Sequence, residues 1–283
     1  MSLGAVFLAL GIGVLLGVAI GEEGVVSGAS KDLEKSLRGD LNDARSRNRD
    51  LGREIATNLE YEKQTYEPLV RDLLPGWRVG LVAMGSLPDG YSSSVTDAIE
   101  PAGATLDSVS VIKAPLPVGR LASVMKGTKL ARLDRSGEQL ERLGRRIGRQ
   151  LVDGGDLIDR LRHDLFSSSR GEYRGLDAIV YVRNREGLED DEKAAQDRFE
   201  QGLLAALKEK SVGLVGVEMT GTDPSQVGFL SGRDVASIDD LDLTAGKTAL
   251  TWVLADEATG RYGVKGSAED LLPKAPEGSA QRP

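Results

Sequence analysis

Two apolar stretches decide the fold class of this chain, Val79-Gly80-Leu81-Val82-Ala83 and Ala178-Ile179-Val180-Tyr181-Val182. Both are apolar throughout, a pattern that is typical of strands buried on both faces of a parallel sheet. We predict further strands at residues 105–112 and 212–217. We predict helices at residues 92–100, 138–152, 156–166, 190–210 and, capped by Thr244, 245–257. This alternation predicts an α/β domain over residues 76–262, with a doubly wound, mainly parallel sheet.

In such a sheet, ligands bind outside the carboxyl ends of the strands, which makes three loops candidate sites. These loops are residues 84–90, 183–187 and 218–223. None contains a G-x-G-x-x-G nucleotide fingerprint, and Gly246-Lys247-Thr248 lacks the upstream glycine of a P-loop. Their acidic residues could bind a hard cation, although turn formation explains them at least as well; they are Asp89, Glu186, Glu218 and Asp223.

Two further side chains are candidates for catalysis, and the sequence supports neither. Ser86 does not lie in a G-x-S-x-G elbow. His163 lies between arginines and an aspartate, and we expect it on a solvated helix face. We therefore expect no enzyme activity, no catalytic residue, no metal ligand and no cofactor, and the ligand at the strand ends stays open.

The first 21 residues are predicted to be a transmembrane anchor. Residues 3–20 contain no charge, and a helix of residues 1–21 would be about 31 Å long, enough for a hydrocarbon core of about 30 Å. A cleaved signal peptide with its site near Gly17-Val18-Ala19 is an alternative, as is a buried core helix. The anchor favours a single-pass membrane protein in contact with the lipid bilayer, with its bulk domain outside the cytoplasm.

Residues 30–67 are predicted to form a short coiled coil. Leu37, Ala44 and Leu51 recur every seven residues, as do Leu41, Asn48 and Ile55. With the second set at a positions, Asn48 would be a buried polar residue that favours a parallel homodimer. A single amphipathic helix lying on the following domain is the alternative.

Prolines and glycines mark the domain boundaries. Pro68 and Pro75-Gly76 are expected to close the coiled coil. Residues 263–283 are rich in Gly, Pro and Ser and are predicted to be a disordered tail.

The composition excludes several classes of function. The formal net charge of −8 argues against nucleic-acid binding, which needs a dominant basic surface. The absence of cysteine excludes disulfides, zinc–thiolate sites and iron–sulfur clusters, and a single histidine excludes a multi-histidine metal site within one chain. A row of arginines at residues 142, 145, 146 and 149 could contact anionic lipid or an acidic partner, or be paired within the fold.

Two parts of the sequence resemble a known family. The first part is similar to the N-terminal signature of the actinobacterial copper transporter family, the MctB-like proteins; it is Ser2-Leu3-Gly4-Ala5-Val6-Phe7-Leu8-Ala9-Leu10-Gly11-Ile12-Gly13-Val14-Leu15-Leu16-Gly17. A second similarity to the same family runs from Ser237-Ile238-Asp239-Asp240-Leu241-Asp242, through Gly246-Lys247-Thr248-Ala249-Leu250, to Gly260-Arg261-Tyr262-Gly263. The resemblance implies a cell-envelope protein of copper export or homeostasis, with a copper ion as a partner.

The side chains of this chain give little support to copper binding. Cu(I) prefers thiolate and thioether ligands and Cu(II) prefers imidazole, yet the chain has one His and, beyond Met1, only Met84, Met125 and Met219. A dimeric envelope scaffold or binding module without copper chemistry is therefore the alternative function. An enzyme on a doubly wound sheet is a third class, for which no machinery is identifiable.

Overall fold

The computed structural model of the protein describes residues 3–21, 25–126, 133 and 137–276. The chain divides into two compact units, Met1–Tyr61 and Glu62–Pro283. Helix α1 spans Leu3–Gly21 and helix α2 spans Val25–Val70. The predicted heptad residues therefore lie on one continuous helix.

The apolar heptad side chains of α2 are exposed in the single chain. Leu37, Leu41, Leu51 and Ile55 are 50–58% accessible to solvent. These side chains are open to pairing with a second helix, and the coiled coil stays a prediction.

The predicted anchor lies partly outside the described residues, because residues 1 and 2 and the side chains of residues 16–21 are not among them. Within the part of the chain that the structure describes, no helix combines the length and the apolar character that crossing a membrane requires. The anchor likewise stays a prediction.

The second unit is built on a seven-stranded sheet. Its strands are β1 (Arg78–Met84), β2 (Thr105–Ile112), β3 (Phe166–Gly171), β4 (Ala178–Arg183), β5 (Gly213–Val217), β6 (Ala236–Ile238) and β7 (Arg261–Tyr262). The strand order is β3-β2-β1-β4-β5-β6-β7. Only β3 pairs antiparallel, with β2, and Leu81 in β1 is in register with Val109 and Val180 of its two neighbours. The mainly parallel, doubly wound sheet is confirmed.

Helices cover both faces of this sheet. They are α3 (Tyr91–Ile99), α4 (Val118–Val124), α5 (Glu138–Asp153), α6 (Asp156–Leu165), α7 (Asp190–Glu209), α8 (Val227–Ser231) and α9 (Thr244–Asp256). Side chains alternate between faces along each strand. Val82 and Met84 therefore pack with α4 to α7, whereas Leu81 and Ala83 pack with α3 and α9.

The last turns of α2 pack against the second face. Val70 and Leu74 are fully buried, and the Tyr66 hydroxyl donates to the carbonyl of Ala98 at 2.8 Å. Leu74 and Gly76 donate backbone hydrogen bonds to Ala102 and Gly103, just before β2 begins. Residues 66–76, all in the second unit, thus pack at the amino-terminal ends of the strands. Pro68 lies inside α2, which ends only at Val70.

Two details of the prediction are wrong. Thr244 is the first residue of α9 and not its cap; the residue at the cap position is Leu243, with no side-chain hydrogen bond. The predicted disordered tail is contradicted for residues 263–276. The backbone N–H groups of Val264 and Lys265 donate to the Asp239 carboxylate, and Asp270 forms a β-bridge with Tyr262 of β7. Residues 277–283 lie outside the described residues.

Candidate functional site

A crevice opens where the strand order reverses. The chain runs from β1 to β2 on one side and returns to β4 on the other side of β1. At the carboxyl ends of β1, β4 and β5 lies a crevice of about 1060 Å³. This is the place where open α/β sheets bind ligands. All three loops identified from the sequence contribute to it: Pro88 from the first, residues 183–186 from the second and residues 219–226 following β5.

The loops after β1 and β4 are joined by close backbone approach. Gly85 has a φ of +98°, and a Cβ at this position would lie 2.7 Å from the carbonyl oxygen of Asn184. Only glycine fits here. The Asn184 amide donates to the Ser86 hydroxyl at 2.8 Å, and its side-chain oxygen accepts from the backbone N–H of Glu186 at 2.8 Å. Ser86 therefore serves to hold the two loops together.

The loop after β5 is held at two points. The Tyr91 hydroxyl accepts from the backbone N–H of Met219 at 3.2 Å and lies 3.2 Å from the Thr222 hydroxyl. The Asp242 carboxylate accepts from the backbone N–H and the hydroxyl of Thr220, at 2.8 and 2.6 Å. Burial by itself would raise the pKa of Asp242, but the hydrogen bonds from Thr220, the backbone of Asp242 and the charge of Lys265 together hold this pKa below its usual value.

A buried arginine forms the wall of the crevice. The Arg183 side chain is 2% exposed, and its Nε lies 3.0 Å from both carboxylate oxygens of the fully buried Glu200. Its remaining nitrogens donate to Gln226 at 2.7 Å and to Asp197 at 2.5 Å, and its guanidinium lies 3.4 Å from the centre of the Phe229 ring. Because every branch of the guanidinium is engaged, Arg183 is fixed and its charge is compensated.

Burial changes the acidity of the groups behind this wall. It raises the pKa of Glu200, and the positive charge of Arg183 opposes that rise. The Tyr181 hydroxyl donates to Glu200 at 2.5 Å, and burial followed by the Glu200 charge raises the pKa of Tyr181 well above its usual value. This network was not predicted from the sequence. The sequence feature that could have indicated the network is Glu200, a charged residue at a helical position between the apolar residues Phe199 and Leu203.

The predicted acidic residues do not form a shared site. Glu186 and Asp223 are exposed on the crevice rim and Asp89 is exposed outside it, whereas Glu218 is buried. Glu218 accepts from the Ser225 hydroxyl, the Gln226 backbone N–H and Lys265, each at 2.7 Å. Within the described ranges, no three His, Cys, Asp or Glu side chains are placed to hold a metal ion.

The remaining candidates lie away from the crevice. His163 is exposed on α6, as expected. Of the predicted basic row on α5, three arginines form ion pairs within the fold: Arg142 with Glu138 at 2.8 Å, and Arg145 and Arg149 with Glu209 at 2.5 and 3.1 Å.

Comparison with known proteins places this fold in a family. Residues 1–273 match the sequence model of a family described as copper transport outer membrane protein, MctB. The chain belongs to the MctB family. The match covers both units and every loop of the crevice, and it confirms the resemblance seen in the sequence. A comparison with curated proteins finds no match.

Copper is the cargo that the MctB family description names, and the crevice offers it few suitable ligands. Met219 lines the crevice, but Met84 and Met125 are buried in the core and His163 lies on α6. A single thioether does not make the thiolate- or imidazole-rich set that copper prefers. The described side chains of the crevice therefore do not fit a copper site.

Proposed function

We propose that this chain is an N-terminally anchored cell-envelope protein that supports copper export or homeostasis by binding a ligand in the crevice, without ligating copper or catalysing a reaction. The family description supports the link to copper transport. The uncharged N-terminal segment supports an anchor, and the family description as an outer membrane protein supports an α/β domain outside the cytoplasm.

The crevice carries the proposal. It lies at the reversal of strand order, and its three loops are tied by Asn184, Tyr91 and Asp242 before any ligand arrives. A site whose shape is already formed spends little binding energy on ordering its own loops. Such a site is suited to a binding module.

The dimer is part of the same proposal. The exposed leucines of α2 form the heptad pattern, and covering them with the same face of a second copy would remove them from water. An envelope scaffold without any link to copper is the alternative, and it shares the anchor and the dimer.

Filling the crevice tests the proposal. Gly221 lines the crevice, and a Cβ there would meet no described atom within 4 Å, so Gly221→Trp adds bulk without disturbing the packing. Gly119 on α4 is equally open and lies away from the crevice, which makes Gly119→Trp the matched control. Cells that lack the gene receive either variant, and copper tolerance and copper content are measured.

We expect Gly119→Trp to restore copper tolerance and Gly221→Trp to behave like the deletion. Equal restoration by both variants would show that the crevice is not used. If the deletion itself leaves copper tolerance and content unchanged, the link to copper is wrong and the scaffold alternative is favoured.

A further inference from the structure

The segment after β7, residues 263–270, crosses the carboxyl ends of β5 and β6; we call it the strap. It begins at Gly263, whose φ is +134°, and a Cβ there would overlap the Asp239 carboxylate. Asp239 is fully buried and accepts the backbone N–H groups of Val264 at 2.8 Å and Lys265 at 3.2 Å. Asp239 therefore fixes the strap where Lys265 can reach the loop after β5.

The Lys265 ammonium group binds three acceptors of that one loop. It donates to Glu218 Oε1 at 2.7 Å, to the carbonyl of Thr222 at 2.8 Å and to the carbonyl of Met219 at 3.1 Å. An ammonium group has three N–H donors, so all three are used. The side chain is 18% exposed, which largely shields these contacts from water.

Glu218 depends on this ammonium group. Its carboxylate is 5% exposed and also accepts from Ser225 and Gln226, which closes the loop on itself. Of the residues that the structure describes, Lys265 is the cation in ion-pair contact with it. Removing the cation would leave a buried and unpaired carboxylate, which is strongly destabilising to the structure around it.

We propose that Lys265 is the positioning residue of the crevice. Its ammonium group joins Glu218, Met219 and Thr222, and it holds residues 218–226 in their binding shape. This role rests on the crevice being the binding site proposed above, although it is measured on the loop itself.

Hydrogen exchange on the full chain in detergent tests this role. In Lys265→Met we expect the backbone amides of Met219, Thr220 and Gln226 to exchange about tenfold faster or more, because the loop opens locally. The matched control is Lys247→Met: Lys247 is 21% exposed and pairs with Asp97 at 3.0 Å, away from the loop. Amides of α5 and α7 report any global unfolding. Unchanged loop exchange in Lys265→Met, or an equal rise in both variants, would overturn the proposal.

Chemical rescue separates the ammonium group from simple packing. In Lys265→Ala, which lacks the three carbons beyond Cβ and the ammonium group, n-propylammonium should restore protection of the loop amides, whereas n-propanol of the same length should not. Rescue by both compounds, or by neither, contradicts the role of the charge. Copper tolerance of Lys265→Met distinguishes the two proposals: a loosened loop with intact tolerance supports the role of Lys265 and counts against the crevice function.

Discussion

Asp240 is a fully buried carboxylate at the carboxyl end of β6, and neither of its oxygens has a hydrogen-bond partner among the described residues. Burial, together with the negative charges of Asp239 and Asp242, raises its pKa from 3.8 to about 6. The folded state therefore holds this proton more tightly than the unfolded state does. Its contribution to stability is fully present below pH 3.8 and is lost as the pH rises through about 6.

We expect Asp240→Asn to remove this pH dependence. The difference in unfolding free energy between the variant and the wild type should rise by about 2 kcal/mol, in favour of the variant, from about pH 4 to about pH 7. The reason is that the asparagine carries no charge to bury. Urea unfolding at several pH values measures the difference. Asp89→Asn, in an exposed loop, is the control. A difference between Asp240→Asn and wild type that stays constant with pH would contradict the prediction.

Single residues of the crevice were predictable only in part. The acidic residues Glu186 and Asp223 were identified because they follow strands, and they do line the crevice. Arg183 also follows an apolar run, but its burial depends on Glu200 and Phe229, which lie 17 and 46 positions further along the chain. Pairings over such distances leave no local pattern, so the sequence does not indicate them.

At the level of elements, the long apolar strands were predictable from the sequence, whereas the polar edge strand β3 and the very short strands β6 and β7 were not. β1 and β4 are continuous apolar runs, and the structure confirms them. β3 is the polar edge sequence Phe166-Ser167-Ser168-Ser169-Arg170-Gly171, and β6 and β7 have only three and two residues, too few to show a period. Residues 263–283 were predicted to be disordered because they are rich in Gly, Pro and Ser. In the structure Gly263 instead allows the strap to approach the Asp239 carboxylate closely.

The crossing of α5 and α7 gives a prediction about helix packing. A Cβ on Gly202 would overlap the carbonyl oxygen of Glu141, and one on Gly144 would overlap that of Phe199. Alanine normally stabilises a helix by about 1 kcal/mol over glycine. We expect the opposite for Gly202→Ala, a loss of about 1–3 kcal/mol, because the two backbones must move apart.

Thermal or urea unfolding measures this loss, and Gly119→Ala in α4 is the control, since its Cβ would meet no described atom within 4 Å. A Gly202→Ala variant as stable as Gly119→Ala would show that the two helices are not held at this distance.

For the whole molecule, the location of the crevice could be predicted from the sequence, but the tertiary contacts that shape it could not. The order of strands and helices predicts a doubly wound sheet, and such a sheet has its crevice at the carboxyl ends of its strands. The position of the reversal, between β1 and β4, depends on which strands become neighbours. The burial of Val70 and Leu74 in the core of the second unit is likewise a tertiary result.

Dimerisation is the prediction that belongs to the whole chain. Three heptads that contain Gly39 and Gly52 form a marginal coiled coil alone, since each glycine costs about 1 kcal/mol relative to alanine. Association of the predicted anchors would raise the effective concentration of the α2 helices to about the millimolar range. Asn48 should then pair with its counterpart, which favours two parallel helices in register. We therefore expect a parallel homodimer of the full chain in detergent.

A cysteine scan of α2 measures this arrangement directly, because the native chain has no thiol to interfere. In the full chain, Asn48→Cys should form a disulfide-linked dimer readily, since an a-position side chain faces its counterpart across the helix pair. Arg47→Cys is the matched control: it lies at the g position that borders the seam, where the two side chains are further apart than at a, and it should cross-link less readily. The register is wrong if Arg47→Cys cross-links efficiently and Asn48→Cys does not. If neither position cross-links while the anchor holds the chain in the membrane fraction, α2 does not pair, and its exposed leucines must be covered in another way.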